Sequence, residues 1–171
     1  MAKNKKEQTN SSISYTGKVK IEFLHGNKVV KTLKKKNTGM MPLFSFLARC
    51  LAGDFDSNGY PRYIRLFSGD SWEHRNEVTT AAIPASSVGI NLSSLSDEKA
   101  IVAFEFLIPY SMLPIGTSAT MLAIYSNTNR VKRESPSAYI VLGDDDEIEG
   151  DGKSNIKVTW SMMVSNAPDE E

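Results

Sequence analysis

Hydrophobic and polar positions alternate with a period of two through most of this chain. In "KVKIEFL", Val19, Ile21 and Phe23 fall on one face and Lys18, Lys20 and Glu22 on the other, which predicts a half-buried strand. "HGN" follows and "KVVKTLKKK" resumes the pattern, so a hairpin turning at Gly26 and Asn27 is expected. "RYIRLF", "AIVAFEFLI", "AYIVLG" and "NIKVTWSMMVSN" read as further strands, the last with Ile156, Val158, Trp160, Met162 and Val164 alternating with polar or smaller neighbours. "ATMLAIYS" is apolar on both faces and is expected at the centre of a sheet. The segment from Ser68 to Asp97 is rich in Ser, Thr, Ala and Gly and reads as loops with one short strand.

One stretch breaks the period. Leu43, Phe46, Leu47, Cys50 and Leu51 recur at helical spacing behind Pro42, with Phe44 beside the stripe and Gly53 suited to closing a helix. Asn37, Thr38 and Gly39 are expected to form the turn into it, with Thr38 as N-cap. About three turns do not persist alone in water, so the stripe must lie on a sheet. Strands do not alternate with helices, which excludes a parallel βαβ sheet. The pattern predicts a mainly β protein: an antiparallel β-sandwich of about 7–8 strands with one short α-helix, about 41–52, after the first hairpin. Residues 1–12 read as a flexible basic arm, 13–166 as a single sandwich domain and 167–171 as an acidic tail.

Charge changes the picture more than composition does. The 171 residues carry a formal net charge of zero. Yet Met1 to Lys36 holds ten lysines against Glu7 and Glu22, a net of +8, and Asp144 to Glu171 holds nine acids against Lys153 and Lys157, a net of −7. Three readings stand: solvated faces and termini, assembly of basic on acidic segments within or between chains, and nucleic-acid binding through phosphates. The lysine face lacks interleaved arginines and exposed aromatics for reading or stacking bases, which weighs against nucleic acid. The assembly reading singles out Lys3, Lys5, Lys6, Lys34, Lys35 and Lys36 on one side. Asp144, Asp145, Asp146, Glu147, Glu149 and Asp151 form the other.

Candidate chemistry is sparse. Cys50 is the single cysteine and lies on the helical stripe, so an intrachain disulfide is excluded and a buried small hydrophobe is expected. The histidines are His25 and His74, and neither their spacing nor any G-x-S-x-G elbow supports a nucleophilic triad. No phosphate loop or dinucleotide motif is present. The acidic run fails as an EF-hand because Ile156 stands where a bidentate Glu is required. An irregular calcium site from Asp144, Asp146, Glu149 and Asp151 stays open, although no metal or other cofactor is expected. "DSWEHRNE" reads either as a binding loop carrying Trp72, Glu73 and His74 or as a polar loop pinned by one aromatic. No window reaches the roughly 18 apolar residues of a membrane span, and no signal peptide is visible at the start.

"NTGMMPLFSFLARCLAG", behind a lysine-rich hairpin, and the terminal "IKVTWSMMVSN" resemble small β-rich virion structural proteins of tailed bacteriophages. Such proteins carry an "LFxFLxxxLAG"-like helix and a last strand of the "VxWxMxxSN" kind. The resemblance covers residues 18–55 and 153–166 and transfers no functional residue. It implies a non-enzymatic part of a particle, made in the host bacterial cytoplasm and residing in the virion as a capsid auxiliary or decoration protein or a neck or tail component. Its partners would be other virion proteins and copies of itself, with no membrane and no small molecule. The alternative is a β-sandwich binding module for carbohydrate or a host surface, using Tyr60, Tyr63, Trp72 and Tyr110 as stacking platforms.

Overall fold

The structure, a computed structural model, describes residues 14–39, 61–90, 99–125 and 136–165. The expected helix, the 1–12 arm and the 167–171 tail lie outside the described residues. The chain is mainly β and antiparallel, as the period-two pattern predicts.

The first layer is built on the hairpin. Strands β1 (Ser14–His25) and β2 (Lys28–Gly39) pair across a two-residue turn. Gly26 takes φ +59° while Asn27 keeps a negative φ, the signs of a II′ turn, whose twist matches that of the flanking strands. A bulge between Phe23 and Leu24 shifts the register near the tip. β12 (Asn155–Ser165) lies on the other side of β1, then β7 (Lys99–Ile108), then β6 (Ser87–Ile90).

The second layer places β3 (Tyr63–Ser68) beside β9 (Met121–Tyr125), which pairs in turn with β10 (Ala138–Val141). The short β4 (Asn76–Glu77) and β5 (Ile83–Pro84) share the other side of β3. A separate ribbon pairs β8 (Ser118–Ala119) with β11 (Ile148–Glu149). Eight of these twelve strands run four residues or more, which are the ones that periodicity can detect.

Two segments join the layers. β2 continues past its last pairing with β1, Gly17 with Asn37, and lays Thr38 and Gly39 against Tyr139 and Ala138 of β10. The turn expected at Asn37–Gly39 is therefore the end of a strand that changes layers. At the other corner the Ala85 amide donates to Arg62 O of the second layer, and the next residue's amide, Ser86, donates to Glu105 O of the first, each at 2.7 Å. The region read as loops with one short strand thus holds β4, β5 and β6, and works as a corner.

Between the layers lies one core. Val19, Ile21, Leu66, Phe106, Leu122, Ile140, Val158 and Trp160 all belong to it, with Trp160 fully buried. Each such side chain contributes roughly 1.5–3 kcal/mol on leaving water. All five residues of β9 are buried because its outer face is covered as well. There Phe67, Met121, Ala123 and Tyr125 form a second cluster with Trp72 and Tyr139.

Candidate functional site

The antiparallel register turns a sequence pattern into a basic surface. Period two sends Lys18 and Lys20 of β1 outward, and Lys36 and Lys34 of β2 stand directly opposite them. Thr159 and Ser161 of β12 flank the same rows. These six residues, with Val19 and Lys35, line a shallow depression of about 260 Å³. Glu22 pairs with Lys20 at 2.5 Å, whereas Lys18, Lys34 and Lys36 carry no ion pair among the described residues. Further along the sheet Lys157 holds Glu105 at 2.8 Å, and Ser87 Oγ donates to it. The Lys157 hydrogen bond, helped by Ser87, pulls the Glu105 carboxyl below its usual range.

Lys35 behaves differently from its neighbours. It opposes Val19 on the inward side of β2 and forms an ion pair with Asp146 of the same chain. The acidic segment therefore lies behind β2. Asp145, Glu147, Glu149 and Asp151 line one cleft of about 290 Å³ with Phe23 and Lys31, and the Lys31 ammonium sits 5.3 Å from the Phe23 ring centroid. Glu147 accepts a hydrogen bond from Ser118, while Asp145 and Glu149 are exposed. Among the described residues, no three His, Cys, Asp or Glu side chains come together in a way that could hold a metal ion. The side chain of Asp144, and Lys3, Lys5 and Lys6, lie outside the described residues.

A His–Ser–Asp set does assemble, in an order the sequence did not reveal. Ser154 Oγ donates to Asp151 Oδ2 at 2.5 Å and lies 2.7 Å from His25 Nε2. Since its proton goes to the carboxylate, Ser154 accepts from the ring, and Nε2 must carry the hydrogen. A general base needs a lone pair at that position and a carboxylate behind the imidazole, so this arrangement cannot activate the serine. The amides of Lys153 and Ser154 also donate to Asp151 Oδ1, each at 2.7 Å. These bonds, the Ser154 hydroxyl first, hold the Asp151 carboxyl down to about 2. The set locks the tip of the first hairpin to the loop that enters β12.

Trp72 is the pin of its loop. Its ring stacks on Tyr139 with centroids 5.0 Å apart and meets Phe67 edge-on at 5.5 Å. The Arg75 guanidinium lies 3.9 Å from the indole centroid, and Arg75 Nη1 donates to Trp72 O. Glu73 and His74 are exposed, and among the described residues His74 reaches only the similarly exposed Asp70, at 3.5 Å. Of the proposed stacking platforms, Trp72 is engaged by its own neighbours and Tyr63 is half-buried in the second layer. Tyr110 is 50% exposed beyond the end of β7, and Tyr60 lies outside the described residues. The three described aromatics do not share one exposed platform.

The chain matches no protein-family model, no curated protein and no solved structure.

The sequence brings Lys34 and Lys36 to the basic surface but misses that Lys18 and Lys20 complete it. Their alternation was visible; the register opposing them to β2 was not. The sequence does not reveal Lys31 in the acidic cleft either, because the bulge near Phe23 decides which side it faces.

Proposed function

We propose that this chain is a non-enzymatic structural component of a bacteriophage virion, acting through protein–protein assembly as a capsid auxiliary or decoration protein or as part of a neck or tail. The observation that carries the reading is the lysine face. Opposed like charges on neighbouring strands cost stability, and a virion offers partners that would offset that cost. The resemblance of the hairpin–helix segment and the last strand to small virion proteins supports the same assignment. So does the order of the His25, Ser154 and Asp151 hydrogen bonds, which suits a structural lock. The carbohydrate-binding alternative is less favoured, since Trp72 is spent on Tyr139 and Arg75.

The test is antibody labelling of purified tailed-phage particles from a lysate that contains the chain. Labelling at regular positions on head, neck or tail is expected. Particles free of the chain would overturn the reading.

A further inference from the structure

We infer that the lysine face of one copy receives the acidic loop of a second copy in a head-to-tail contact; this rests on the assembly reading above and names its partner. Three observations lead there.

First, Lys18, Lys34 and Lys36 are exposed and carry no ion pair among the described residues, on a face where their neighbours add hydroxyls and the acids Glu22 and Glu105 are already paired with Lys20 and Lys157. Such a surface recruits carboxylates.

Second, the same chain offers exposed carboxylates at Asp145 and Glu149, on the rim of a cleft whose residues are shared with none of those lining the lysine depression. The two surfaces are complementary in sign and built from different residues, as a heterologous contact requires.

Third, among the described residues a copy's own acidic loop does not serve its lysine rows. Lys34 and Lys36 point to the opposite side of β2 from Lys35, and Lys35 holds Asp146. That ion pair keeps the chain's own acidic loop behind the strand, away from the lysine rows, so the loop that fits those rows is a neighbour's. Because donor and acceptor surfaces differ, the pair keeps one of each unused after the first contact, and the contact propagates into a ring or a row.

Charge reversal tests this with the full chain in sedimentation equilibrium at low salt. The variants are Lys34→Glu with Lys36→Glu, Asp145→Lys with Glu149→Lys, and all four together, each checked for fold by circular dichroism. The wild-type chain is expected to self-associate. Each double variant should associate at least about ten-fold more weakly. The fourfold variant should regain association, and the two double variants should associate when mixed. A wild-type chain that stays monomeric at low salt overturns the inference, as do double variants that associate like wild type or a folded fourfold variant that does not recover. Each of these results leaves the virion reading to be decided by particle labelling, so the two fail separately.

Discussion

Lys18 of β1 and Lys36 of β2 stand directly opposite each other, one row from the equally opposed Lys20 and Lys34. Directly opposed like charges destabilise a sheet, whereas opposite charges there contribute about 0.2–1 kcal/mol. The lysine face is therefore kept at the expense of the fold. Lys36→Glu and Lys34→Glu should each raise the stability of the isolated chain by about 0.5 kcal/mol, read from the denaturant midpoint. A loss of stability in both would contradict the view that these rows are retained for a partner.

Asp151 ties stability to acid. Its carboxyl is held at about 2 against an ordinary 3.8. A depressed carboxylate stabilises the fold above its unfolded value, and that contribution is lost as the pH falls through the folded value. Thermal stability should therefore decline as the pH drops from about 4 towards 2, and Asp151→Asn should flatten that decline. The effect is modest because the side chain is 39% exposed. Asp151→Ala, which also removes the acceptor for the Lys153 and Ser154 amides, should cost about 1 kcal/mol at neutral pH.

Two glycines should respond unequally to alanine. A Cβ on Gly150 would sit 2.1 Å from Pro114 O and 3.1 Å from Leu113 O, both backbone atoms, the first already accepting from the Thr117 amide and hydroxyl beside the ribbon of β8 and β11. A Cβ on Gly17 would meet Asn37 Oδ1 at 1.2 Å, a side-chain atom that can turn away. Gly150→Ala should cost about 3 kcal/mol and Gly17→Ala about 1 kcal/mol. Equal costs in urea unfolding would show that the ribbon yields as readily as a side chain.

Tyr125 should ionise late. Burial outweighs the nearby Arg75 and Arg65 and pushes its phenol up to about 12, against an ordinary 10.0. Between those values the unfolded chain releases a proton that the folded chain keeps, so stability should fall as the pH rises from 10 to 12. Ultraviolet titration should show one delayed tyrosine, which Tyr125→Phe should remove along with its part of the alkaline fall.

The long strands were legible because each has one wet face. In β12 the alternation of Ile156, Val158 and Trp160 with Lys157, Thr159 and Ser161 was visible, and the inward set is buried. β9 was legible for the opposite reason, since an unbroken apolar run fits a strand covered on both faces. The corners were not. β5 has two residues, too few to show a period, and β11 holds Ile148 inside an acidic run whose charges hid it. The same limit applies to the site. Alternation displayed the lysines, but which of them stand together depends on cross-strand register. Adjacency groups Lys35 with Lys34 and Lys36, but the pleat sends it to the other side of β2.

The central claim, assembly through oppositely charged surfaces, is tested most directly by the molar mass of the purified chain from light scattering at low and high salt. A single chain weighs 18.9 kDa. The account predicts a mass of several chains at low salt that falls towards 18.9 kDa as salt screens the contact. A mass of one chain under both conditions would contradict it.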